Sequence, residues 1–159
     1  MAKVFHWGFI GVLAYAWLKQ VDEVEELEDA SFLMEEFLFA TVFLLLRLAR
    51  FIYMRSTRPS ALPASTPKRA KRLARAVHLA IYGSLALLAI TGLAIGGMFA
   101  AGVSEGFVFG TVLWLHEVFY WASVNFIALH VIAALYHRYL GDGIWSSMVP
   151  VFKEKANRH

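Results

Sequence analysis

The chain of 159 residues has no cysteine. This excludes disulfides, cysteine-held iron–sulfur clusters, cysteine zinc sites and any thiolate metal ligand. Charge is also scarce, at 17% of residues, where a soluble domain carries about 25%. Prolines number four, and three of them (Pro59, Pro63 and Pro67) fall in one short segment with Ser and Ala between them. That segment reads as an extended linker, and the rest of the chain is free to run as long helices. Histidine is missing between His6 and His78. The net charge of +3 does not imply nucleic acid, because the cations gather between apolar stretches and form no surface stripe.

What fills the chain is apolar: 59% of residues are hydrophobic and 15% aromatic. Four apolar stretches, about 4–20, 32–54, 75–100 and 111–140, predict helices near or above the ~20 residues needed to span a bilayer. No internal repeat or separate soluble domain interrupts them, so residues 1–159 read as one domain. The first stretch is short and follows Lys3, as in a signal peptide. Its bulky aromatics, the poor cleavage sequence Ala14-Tyr15-Ala16-Trp17 and His6 favour a retained helix. The expected fold is all-α, an integral membrane four-helix bundle.

Charge orients this bundle. Asp22, Glu23, Glu25, Glu26, Glu28 and Asp29 lie between the first two stretches. Arg55, Arg58, Lys68, Arg69, Lys71, Arg72 and Arg75 lie between the second and third. Lys3, Arg138, Lys153, Lys155 and Arg158 fall on the same side as this basic loop, and Lys19 alone falls opposite. The positive-inside rule then puts both termini in the cytoplasm. The acidic loop faces outward, either to dock a basic periplasmic or membrane redox protein or simply to stay solvated.

His116 and His130 stand fourteen residues apart on the last stretch. That is about 21 Å of rise and close to four turns, so both rings point one way near opposite faces of the hydrocarbon. Imidazole inside lipid needs a partner, and a haem iron supplies one. The face repeats as His116, Ser123, His130 and His137, with small Ala133 and Ala134 a turn beyond His130. His6, His78 and His137 lie at the inner boundary, where interfacial histidines are ordinary; His159 reads as a solvated tail.

The sequence resembles the prokaryotic cytochrome b561 family and the b-type subunits of membrane hydrogenases and formate dehydrogenases. The resemblance rests on Phe5-His6-Trp7, Arg47-Leu48-Ala49-Arg50, His78-Leu79-Ala80-Ile81-Tyr82 with Thr91-Gly92, and Trp114-Leu115-His116-Glu117. It continues through Leu129-His130-Val131-Ile132-Ala133-Ala134-Leu135-Tyr136-His137 and Asp142-Gly143 to Met148-Val149-Pro150. The resemblance implies haem b, an inner one on His6 and His130 and an outer one on His116 and a histidine of the second helix. That last ligand is absent: its position falls near Leu33 or Met34. The outer site is then empty, or holds haem between His116 and Met34, or holds a five-coordinate haem on His116 alone. Glu35 and Glu36 lie close to that level, as a proton relay or as solvated carboxylates. Arg47, Arg50, Arg75 and Trp7 lie at a depth suited to the inner propionates, or obey the inside bias of basic residues.

The resemblance further implies an electron carrier in a bacterial inner (cytoplasmic) membrane, exchanging with quinone or quinol, with His78, Arg75 and Tyr82 as headgroup residues. The alternative is a haem-poor accessory subunit of a larger respiratory or photosynthetic membrane complex.

Overall fold

The computed structural model describes residues 2–18, 29–57 and 67–149. The expected acidic loop from Asp22 to Glu28, Lys19, Arg58, Pro59, Pro63, and the tail with Lys153, Lys155, Arg158 and His159 lie outside the described residues, as does the side chain of Arg55. The described elements are all helices: α1 (Ala2–Leu18), α2 (Ala30–Thr57), α3 (Lys68–Ala100), α4 (Phe107–Leu140) and the short α5 (Ile144–Met148).

Two of the four expected spans, α3 and α4, are long and apolar enough to cross a membrane. The apolar part of α1, His6–Leu18, is shorter, and α2 carries Glu35, Glu36, Arg47 and Arg50 along its length. At about 1.5 Å per residue the 33 residues of α3 extend to about 50 Å, longer than a hydrocarbon core of about 30 Å. Its first turns, rich in Lys and Arg, therefore project beyond lipid. This is why α3 starts at Lys68 and not near 75: the basic segment continues the helix, entered from Pro67 at φ −56°.

Neighbouring helices follow chain order, α2 beside α3 and α3 beside α4. The α3–α4 connection turns on Gly102 and Gly106, whose φ values of 78° and 99° strain any side-chain-bearing residue. The interior has two parts. In the half nearest His6 and His130, called inner after the expected orientation, Phe43, Leu85 and Ala89 are buried and receive Phe9, Val12 and Leu13 from α1 and Ile127 from α4. Rings of Phe9 and Phe43 lie 5.2 Å apart, and those of Tyr15 and Phe39 5.7 Å, which seats α1 on α2. Toward the outer half, Ile95 and Phe109 gather Phe32, Leu33, Met98, Phe99, Val112 and Leu113. At the inner end, Gly141 (φ 65°) caps α4 with its N–H on the carbonyls of His137 and Arg138. The Asp142 carboxylate bonds the His137 Nδ1 at 2.6 Å and accepts from the Ile144 N–H at 3.2 Å, opening α5.

The exposed Asp29 caps α2, accepting from the Ser31 N–H at 2.8 Å, the Phe32 N–H at 3.4 Å and the Ser31 hydroxyl at 2.6 Å. The Ser31 side-chain bond, then the Ser31 and Phe32 amides, hold its carboxyl below the ordinary 3.8. A carboxyl lowered on folding stabilises fully above its unfolded value and ceases to do so as pH falls through the folded one. Amide exchange at Ser31 and Phe32, corrected for intrinsic rate, is therefore expected to accelerate below pH 3.8 in the wild type and to be fast at every pH in Asp29→Ala.

Candidate functional site

Packing of the half-buried Phe9 against Phe43 fixes the rotation of α1. His6 precedes it by three residues, on the same face, and so turns inward. On α4 the inward stripe runs through Ser123, which is fully buried, then Ile127 and His130. The two stripes meet at the inner end, with the His6 and His130 ring centres 6.3 Å apart and their planes at 70°. His78 from α3 adds a third ring, 5.0 Å from that of His130. Its Nδ1–H donates to the Ala74 carbonyl at 2.7 Å, leaving Nε2 as the acceptor nitrogen. Trp7 stands edge-on to His6 at 6.2 Å.

Cations surround this cluster. Arg50 Nη2 is 3.3 Å from His6 Nδ1. Arg47 is only 4% exposed. Its guanidinium sits 4.6 Å from the Phe9 ring centre and 4.5 Å from that of Tyr82, and Nη2 donates to the Ile81 carbonyl at 2.9 Å. Its Nε is buried without a hydrogen-bond partner. A guanidinium enclosed by two rings with one donor unspent is chemically ready for an anion.

The other expected residues lie elsewhere. His116 is held at the outer end, its Nδ1 2.9 Å from the Thr91 hydroxyl. That hydroxyl also lies 2.8 Å and 3.0 Å from the carbonyls of Leu87 and Leu88, which can only accept. Thr91 therefore donates to backbone and accepts from His116 Nδ1–H, which leaves Nε2 of His116 unprotonated. Gly92 admits the ring, since a Cβ there would stand 3.3 Å from His116 Cε1. One turn along, Gly96 admits Leu33, whose Cδ1 would lie 3.4 Å from a Cβ. Met34 is 67% exposed, and the α2 residues facing the glycine groove at that level are Leu33 and Phe37. Glu35 is exposed and Glu36 half-buried. Ala133 is exposed and Ala134 half-buried, so Ala133 does not line the inner cluster as expected. His137 is paired with Asp142.

The sequence description of prokaryotic cytochrome b561 matches residues 1–151. The chain belongs to the prokaryotic cytochrome b561 family. No curated protein and no solved structure matches it. The family is one of membrane b-type cytochromes that transfer electrons, and it implies haem b.

The inner cluster of this cytochrome fits that group. Two imidazoles on one metal have nitrogen–metal bonds of about 2 Å, and each ring centre lies roughly 1.1 Å behind its nitrogen, giving about 6.2 Å between centres. His6 and His130 are 6.3 Å apart, whereas the 5.0 Å between His78 and His130 is too short for two imidazoles facing each other across a metal. The Arg47 Nε–H and the Arg50 guanidinium are donors of the kind that would hold a haem propionate.

Three features escaped the sequence reading. The Thr91–His116 bond joins residues that were both quoted, but nothing in their spacing shows that they meet. The Arg47 sandwich needs Phe9 and Tyr82 from different helices. Gly96 did carry a signal, because Gly92 and Gly96 form a small-xxx-small pair that permits close helix approach.

Replacing Thr91 by Val removes the acceptor for His116 Nδ1–H with little change of shape. It is expected to cost about 1–2 kcal/mol of stability and to turn the single imidazole tautomer of His116 into a mixture, read from its ring nitrogen shifts.

Proposed function

We propose that this cytochrome carries electrons through one haem b at the inner end of a four-helix membrane bundle, in exchange with the quinone pool. Both termini face the cytoplasm across a bacterial inner membrane. The observation that carries the reading is the separation of His6 and His130, which would let both imidazoles hold one haem iron. The bound haem supplies one-electron chemistry, and the protein tunes its potential through axial ligands, burial and nearby charge.

Each residue of the cluster has a task. His6 and His130 offer neutral imidazole nitrogens from helices seated on one shared core of Phe43, Leu85 and Ala89, α1 through Phe9 and α4 through Ile127. Arg47 and Arg50 neutralise propionates, and Arg50 leaves His6 Nδ1 to do so. A ligand imidazole carries its proton on the nitrogen away from the metal, and a guanidinium is itself only a donor. The edge of Trp7 limits how far the His6 ring can turn. His78 is exposed on α3 yet adjoins His130, so a quinone headgroup bound by His78, Arg75 and Tyr82 approaches the site from lipid.

The outer end is read as carrying no haem. His116 has a hydrogen-bond partner in Thr91, Leu33 stands at the level of the absent ligand, and Met34 faces outward. Electrons then enter and leave on one side only.

Pyridine haemochrome on purified protein is expected to give one haem per chain with six-coordinate low-spin bands. His6→Ala or His130→Ala should abolish it, and His116→Ala should leave it. Two haems per chain, or loss of haem in His116→Ala, would overturn the reading; none at all would favour the accessory subunit. For the quinone, His78→Ala should keep full haem content while slowing reduction by a quinol analogue by at least about a hundredfold, the lower end of what a positioned proton acceptor contributes. An unchanged rate there would remove His78 from the quinone site.

A further inference from the structure

Asn125 lies near the middle of the 34-residue helix α4 and is exposed. Polar side chains at membrane depth almost always face a protein interior or a water-filled cavity. The histidines of α4 obey this and Asn125 does not. Its Nδ2 donates to the Trp121 carbonyl at 2.7 Å. A carboxamide has two N–H groups and an acceptor oxygen, so one N–H and Oδ1 remain, and hydrocarbon offers them nothing.

The stripe around it is continuous. Trp114, Glu117, Trp121, Asn125, Ala128 and Ile132 follow at steps of three and four residues, and all are exposed. Such spacing is the seam of a helix pair, on the side of α4 away from His116, Ser123 and His130. Ala128, one turn inward of Asn125, is small enough for two backbones to approach. Glu117 lies about 12 Å outward of Asn125, near the edge of a hydrocarbon core about 30 Å thick, within reach of water.

We propose that this face of α4 is a self-association surface, on which two copies of the chain pair through Asn125. The partner is a second copy for a geometric reason. Copies inserted with the same orientation hold Asn125 at the same depth. A two-fold axis along the membrane normal then brings Asn125 against Asn125, and a carboxamide facing its own kind donates and accepts at once. An unrelated helix would need a matching polar group at that depth. This inference rests on α4 spanning the bilayer and is independent of haem.

The absence of cysteine makes the test clean. Ala128→Cys in native membranes, under mild oxidation, should give a species of twice the chain mass, while Leu45→Cys on the exposed face of α2 should not. Adding Asn125→Leu to Ala128→Cys should lower the cross-linked yield at least about tenfold, and Asn125→Gln should keep it within about twofold. Haem content of every variant reports correct folding. A yield at Ala128→Cys no higher than at Leu45→Cys, a yield unaffected by Asn125→Leu, or a product containing a different chain would each overturn the proposal. Release of the chain by alkaline carbonate would instead overturn the spanning reading, and this surface with it.

Discussion

A buried guanidinium holds the inner end of this cytochrome together. Arg47 of α2 lies between a phenyl ring from α1 and a phenol ring from α3, with a backbone carbonyl of α3 on one nitrogen. An ion in an apolar interior is costly unless its neighbours compensate. Here the compensation comes from three helices at once, so the charge is tolerated only where they converge. α1, the shortest of the four long helices, gains its registry from this arrangement, because Phe9 is held from one side by Arg47 and from another by Phe43. His6 inherits that registry one turn away. The position of an imidazole on α1 therefore depends on a residue that is neither a neighbour in sequence nor a metal-binding type.

The all-helical fold class was legible in the sequence because apolar length acts over whole segments and needs no contacts to be read; of the four expected spans only α3 and α4 are long and apolar enough to cross a membrane, and the short α5 was not foreseen. The inner pair was legible in part. His130 stood out as an imidazole within an apolar helix, but His6 looked like an interfacial residue until the family pattern singled it out. What was not legible was rotational. Whether Met34 or Leu33 faces the bundle turns on 100° of helix phase, and apolar residues surround both. The start of α3 was missed for a related reason: a run of Lys and Arg marks where lipid ends, and a helix need not end there.

The two ends of α4 illustrate how one imidazole spacing serves unlike environments. His130 meets the rings of His6 and His78, in a cluster where Arg50 reaches His6 and Arg47 keeps a donor without a hydrogen-bond partner. His116 meets a hydroxyl that is itself anchored to backbone, and its ring lies in a groove cut by a glycine. Identical residue types four turns apart thus differ in whether their surroundings have spare hydrogen-bonding capacity, which no sequence pattern reports.

The glycine groove on α3 bears on history as well as on packing. Gly92 and Gly96 leave space that side chains of α4 and α2 already fill, His116 in the first and Leu33 in the second. Phe32, Phe99, Phe109 and Ile95 close the surrounding volume. Reinstating an imidazole on α2 would restore a ligand without restoring room for a macrocycle, because several aromatic side chains on three helices would have to shrink together. Each of those steps alone leaves a cavity and no gain. Change at this end of the molecule is thus easy in one direction and blocked in the other, a ratchet set by volume more than by chemistry.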